Sequence, residues 1–170
     1  MKIRNGFVTN SSSSSFILVF KDDEDLNIFE KECLDSNNKD VIKMVKRVNK
    51  RNTKTLDEQK TAAIEILYHW LTFEERYDYM KQRISQKSDF RDVLAEERRI
   101  EKTEEFKAHM KEFIEKTDFS EKVKRIENAG ILVNTTIWDS DGGDFECAIR
   151  NGLLRRDPIK KWLVEQVDIG

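Results

Sequence analysis

The sequence predicts an α+β fold: a single domain over residues 1–170, with a small β-sheet covered by helices and a long, mostly helical excursion at about 55–117. Three observations point to it. Phe16-Ile17-Leu18-Val19-Phe20 is an unbroken β-prone apolar run, and Ile131 to Trp138 is a second β-prone run near the other end. Between them, apolar residues recur at three and four residues behind helix-capping signatures.

The first run, 16–20, has no polar alternation, the pattern of a strand covered on both faces. Phe7 and Val8 suggest a short extra strand before it. Asp25 opens a helix that ends near Leu34, and Lys39 to Val48 carries Val41, Ile42, Val45 and Val48 at helical spacing. Thr55-Leu56-Asp57-Glu58 is a capping box, in which hydroxyl and carboxylate satisfy two amides that the first helical turn leaves open. The helix behind it places Ala62, Ala63, Ile66, Leu67, Trp70 and Leu71 on one side, as a core helix would. Thr72-Phe73-Glu74-Glu75 repeats the cap pattern, so this helix either continues through Tyr77, Met80 and Ile84 or restarts at Thr72.

From Ser88 to Lys116 there is neither glycine nor proline. One helix is expected there, about 42 Å long at about 1.5 Å per residue, with a narrow apolar stripe on a charged cylinder. Asp118 opens a short helix that Gly130 closes, as glycine does at a helix C-terminus. In the second strand, Ile131, Val133, Thr135 and Ile137 share the drier face. Asp157-Pro158 pairs a capping residue with proline at a first helical position, so a last helix is expected from Ile159 to Val167.

Composition narrows the function classes. Charged and hydrophobic residues each make up 38% of the 170 residues, above the roughly 25% charged of an average domain, so much of the chain is solvated helix surface. With 31 basic and 33 acidic residues interleaved and a net charge of −2, no field of one sign draws a polyanion, which argues against nucleic-acid binding. Cys33 and Cys147 stand far apart and outside any zinc spacing, and read as small buried hydrophobes. No stretch approaches the ~20 apolar residues of a membrane span, and no secretory pattern follows Met1. The expected compartment is the reducing cytoplasm, with the virion as alternative.

Two segments concentrate polar chemistry. Asn10, Ser11, Ser12, Ser13, Ser14 and Ser15 could wrap a phosphate with backbone amides and hydroxyls. They lack the glycines and the Lys-Ser/Thr pair of a nucleotide loop, and equally suit Asx and Ser turns leading into the strand. Asp139, Asp141, Asp144 and Glu146 surround Gly142-Gly143 and could hold magnesium or another divalent cation. The spacing fails the EF-hand pattern, and Asp-Gly-Gly-Asp is also ordinary turn chemistry with Asp144 as a helix cap. His69 and His109 fall on different helices without ligand-spaced partners. Arg155, Arg156, Lys160 and Lys161 beside Trp162 form a basic patch diluted by Asp157 and Glu165.

Residues 4–20, Arg4-Asn5-Gly6-Phe7-Val8-Thr9-Asn10 followed by five serines and Phe16, resemble an N-terminal element of otherwise dissimilar phage and bacterial proteins. That element reads Arg-x-Gly-Phe-Val-Ser-Asn-Ser-Ser-Ser-Ser-Ser-Phe, and Thr9 stands where serine is usual. The resemblance implies a phage or prophage origin and assigns no activity. The expected function is a small phage-type accessory protein that binds another protein, such as a host enzyme or defence component. Ile100, Phe106, Met110 and Phe113 of the apolar stripe would meet that partner, or a second copy of the chain. No catalytic residue and no cofactor is assigned. The alternatives are a metal-dependent enzyme on a phosphate-containing substrate and a virion or assembly component.

Overall fold

A computed structural model describes residues 13–36, 38–51, 53–84, 90–138 and 152–169. The fold is α+β. Strand β1 (Ser13–Phe20) is followed by α1 (Asp23–Asp35), α2 (Lys39–Arg51), α3 (Leu56–Arg83), α4 (Phe90–Glu101), α5 (Glu104–Glu115) and α6 (Phe119–Glu127). Then come β2 (Ile131–Trp138), the 3-10 turns Leu153–Arg155 and Ile159–Trp162, and β3 (Leu163–Ile169). The chain divides into two compact units, Met1–Ala63 with Arg125–Gly170, and Ile64–Lys124.

The first unit is built on an antiparallel sheet of order β2-β1-β3. Its central strand explains the unbroken apolar run, because Phe16, Ile17, Leu18 and Phe20 on both faces are all at most 1% exposed. On one face Phe16, Leu18 and Phe20 pack with Val133 of β2, Phe29 and Cys33 of α1, and Val41 and Val45 of α2. Ile131 also packs against that core, so the drier face expected for β2 is the one turned inward. The register with β3 slips between Ile17, opposite Glu165, and Leu18, opposite Leu163, leaving one extra residue on β3.

An aromatic cluster closes this core. Phe29 meets Phe20 and Trp162 edge to face, with ring centres 5.0 and 5.1 Å apart. Trp162 satisfies its indole N–H on Asp25 Oδ1 at 2.9 Å. Asp25 Oδ2 accepts from the Lys21 amide at 2.9 Å, and its own amide donates to the N-cap Asp22. One acidic residue thus fixes the start of α1, the corner after β1 and the buried tryptophan.

The capping box forms as expected. The Thr55 amide donates to Glu58 Oε2 at 2.8 Å, and the Glu58 amide donates back to Thr55 Oγ1 at 3.3 Å. Helix α3 runs through Thr72, whose hydroxyl bonds back to the Tyr68 carbonyl at 2.7 Å instead of capping a new helix. At 28 residues α3 is about 42 Å long at about 1.5 Å per residue.

Four expectations are corrected. The single helix over 88–116 is two helices, because the Thr103 amide turns back to Ile100 O at 2.9 Å and the Thr103 hydroxyl caps α5 through the Phe106 amide at 3.2 Å. Residues 159–167 are not a helix: after one 3-10 turn, Leu163–Ile169 pairs with β1, whose second edge would otherwise leave its amides and carbonyls without partners. The Asp157–Pro158 bond is cis. The first strand starts at Ser13, so three serines of the tract are strand and not the turn before it. Gly130 is not in the left-handed region, where Gly152 stands at φ 83°. A Cβ at Gly130 would fall 2.1 Å from the Lys21 carbonyl oxygen, so this glycine answers a close backbone approach. The strand suggested at Phe7 and Val8, and the cap at Asp144, lie outside the described residues.

Candidate functional site

The serine tract enters the fold through the sheet. Ser13 pairs with Trp138 of β2 and with Ile169 of β3, so the start of β1 and the ends of β2 and β3 lie at the same end of the sheet. Ser14 and Ser15 are buried. Ser14 faces the core with Phe16, and its hydroxyl donates to Asp168 Oδ1 at 2.8 Å. Gln166 Nε2 donates to the same oxygen at 3.0 Å, and Arg155 Nη2 lies 3.7 Å from Asp168 Oδ2 while donating to the Gln166 carbonyl at 2.9 Å. On the opposite face the Ser15 and Thr136 hydroxyls share a hydrogen bond of 2.7 Å. These two serines therefore spend their hydroxyls tying the end of β1 to both neighbouring strands.

Asn10, Ser11 and Ser12 lie outside the described residues, as do Asp139, Asp141, Asp144 and Glu146, and of Ser13 only the backbone is described. Among the described residues, no group of three or more His, Cys, Asp and Glu side chains is placed to hold a metal. Of the basic patch, Arg155 is turned to β3, Lys160 pairs with Asp157 at 3.1 Å, and the Lys161 ammonium lies 4.1 Å from the centre of the buried Trp162 ring.

The second unit places the expected binding stripe inside. Ile100, Phe106 and Met110 are buried with Tyr79 and Met80 of α3, and Ile84 packs against them. Phe113 is half-buried on α5. Periodicity marks a face that avoids water without saying what covers it, and here α3 covers it. Polar contacts frame this core. Arg83 lies 3.6 Å above the Tyr79 ring and donates to Glu105 at 2.8 Å, which holds the Glu105 carboxyl below the usual carboxylate range. The His109 ring stands 4.7 Å from Tyr79, and its Nε2 donates to Glu75 Oε1 at 2.6 Å. His109 thus has its partner on another helix, which spacing along one helix does not reveal, whereas His69 meets Arg76 two turns further along α3 itself.

Arg76 is held from two sides, donating through Nη1 to His69 Nδ1 at 3.1 Å and through Nη2 to Glu101. Glu97 sits close by; burial first, then the charge of Glu101, raises its carboxyl above the usual range against the opposing pull of Arg76. Beside Arg76 a cavity of about 410 Å³ opens over Phe106, Met110 and Ile114.

One surface feature was not singled out by periodicity. Phe73 is 64% exposed and Tyr77 43% exposed, one turn apart on α3. Such a pair on one side of a helix is the kind of aromatic patch that anchors protein contacts. The signal is in the sequence: both stand at spacing that continues Ile66 and Trp70, but Phe73 reads there as part of a second cap pattern and Tyr77 as a position through which the helix continues.

No helix among the described residues is long and apolar enough to cross a membrane. Comparison with protein families, with curated proteins and with solved structures finds no match to this chain.

Proposed function

We propose that this chain is a small phage-type accessory protein that acts by binding another protein, with Phe73 and Tyr77 of α3 as the anchor. The exposure of these two rings carries the reading: 64% and 43% exposed on one helix face, they leave aromatic surface that burial in an interface would repay. The surrounding charge describes the partner. Glu74 and Asp78 flank the rings on the exposed side of α3, and the Lys81 ammonium stands 6.0 Å from the Tyr77 ring centre. A partner with an apolar pocket bordered by arginine or lysine complements this patch. The resemblance of residues 4–20 supports a bacterial host cell as the place where that partner is met.

The test compares capture of host proteins by the wild type and by F73S/Y77S, followed by binding measurements on the purified partner. Both positions are exposed, so the variant keeps the wild-type circular dichroism. Its affinity falls at least roughly tenfold if the pair anchors the contact. Equal capture by both proteins refutes the proposal. Sedimentation of the protein alone identifies a second copy as the occupant, and mass spectrometry of purified particles identifies a virion or assembly role.

A second reading, a metal-dependent enzyme on a phosphate-containing substrate, is favoured by one observation. Ser13, next in sequence to Ser11 and Ser12, stands opposite Trp138, next in sequence to Asp139, Asp141 and Asp144. Magnesium or manganese would then raise the melting temperature, since a ligand bound to the folded state alone stabilises it. An unchanged melting temperature in both ions removes this reading.

A further inference from the structure

The cavity of the second unit does not include Phe73 or Tyr77 in its lining and has a chemistry of its own. Its floor is the apolar side of α5: Phe106 and Met110 are buried and Ile114 is half-buried. Its rim is cationic. Lys107 and Lys111 sit one turn apart on α5, so the helix presents alternating cationic and apolar side chains to the same space, and Arg76 of α3 lines it as well.

The charges on the rim are available at different costs. Lys107 and Lys111 are 57% and 77% exposed and pair with Glu104 and Glu115, which do not line the cavity. Exposed pairs of that kind contribute little to stability, so an anion entering the cavity can draw either ammonium away with little loss. Arg76 is different: fixed between His69 and Glu101, its guanidinium is already oriented, and two of its five N–H donors serve those contacts. Three cations against the single carboxylate of Glu101 leave the lining net positive in a chain whose overall charge is −2.

We propose that this cavity is a binding site for a small amphipathic carboxylate, with the alkyl or aryl body on Phe106, Met110 and Ile114 and the carboxylate among Lys107, Lys111 and Arg76. A volume of about 410 Å³ falls within the roughly 300–1,000 Å³ of small-molecule sites. The apolar floor accounts for affinity, and the cationic rim sets the preference for an acid over a neutral molecule of the same shape.

Methionine supplies the test, because the chain has four and, among the described residues, Met110 is the only one that lines the cavity. Protein labelled with carbon-13 at the methionine methyls is titrated with decanoate and, separately, with decanol, and the Met110 signal is assigned by its loss in Met110→Leu. The expected result is a saturable shift of Met110, larger than that of its core neighbour Met80, with Met44 unmoved and decanol at least roughly tenfold weaker, a difference of about 1.4 kcal/mol. K107E/K111E weakens decanoate by a similar factor, and K107Q/K111Q gives an intermediate loss should charge reversal disturb the helix. Four outcomes overturn the proposal: no Met110 shift at millimolar decanoate, a common unsaturable drift of all methyls, equal binding of acid and alcohol, or unchanged binding in both lysine variants.

Discussion

Replacing Gly130 by alanine tests the reading of the corner where α6 hands the chain to β2. An added Cβ would stand 2.1 Å from the Lys21 carbonyl oxygen, where real Cβ atoms essentially never come under 3.0 Å. Neither side can yield cheaply. The Gly130 amide donates to the Phe20 carbonyl at 2.9 Å, Phe20 pairs with Ile131, and the Lys21 amide is held by Asp25 at 2.9 Å. Relief requires a backbone shift of about 1 Å in the central strand's exit, which places the cost at the upper end of overpacking, about 3 kcal/mol. Alanine also stiffens the unfolded chain, a gain of about 0.4–1 kcal/mol in the opposite direction. The net loss of about 2–3 kcal/mol lowers the melting temperature by about 5–10 °C in a chain of this size. Thermal and denaturant unfolding measure it, with Gly130→Asn as the discriminating control. If Gly130 served a left-handed backbone, asparagine would be tolerated; if it serves close approach, asparagine is as harmful as alanine. A melting temperature within about 1 °C of wild type for Gly130→Ala, or clear tolerance of asparagine, refutes the reasoning.

Two further outcomes follow from the same structure. Cys33 is fully buried, and burial, reinforced by Glu30 and Glu32, pushes its thiol up to about 12. At pH 8 its thiolate fraction is then about 10⁻⁴, on the order of 10³ below that of an ordinary thiol. In a Cys147→Ser background, reaction with Ellman's reagent should therefore be slower by at least that factor until denaturant is added, and rapid labelling of folded protein would contradict it. Hydrogen bonds from the Thr55 backbone and hydroxyl hold the Glu58 carboxyl below the usual carboxylate range. A depressed folded-state value gives stability that is present above the unfolded value and lost as pH falls through the folded one. Thr55→Ala should lower the melting temperature at pH 7 by about 2–4 °C, and that difference should shrink below about pH 4. A difference independent of pH would show that the box does not form.

Local chemistry was sufficient wherever a signal could be satisfied by its own neighbours. The capping box at Thr55, the spacing of Val41, Ile42 and Val45, and the apolar run at 16–20 predicted their elements because each is decided within a few residues. Even Thr103 announced its helix, with two glutamates in the first turn behind it. The absence of glycine and proline predicts continuity there, whereas a hydroxyl that caps is enough to end one helix and begin another.

The tertiary structure decided what depends on a partner strand or a covering face. Leu163–Ile169 became β3 because β1 had a second edge to fill, and Ser14 and Ser15 became buried strand because Asp168 and Thr136 stand beside them. Gly130 is required by a carbonyl more than a hundred residues earlier in the chain. Ile100, Phe106 and Met110 were visible as an apolar stripe, but only α3 lying over them made the stripe a core and left Phe73 and Tyr77 as the rings outside. Periodicity records which side of an element avoids water. Which surface covers that side is a property of the packed chain, and so, therefore, is which apolar residues remain to meet another molecule.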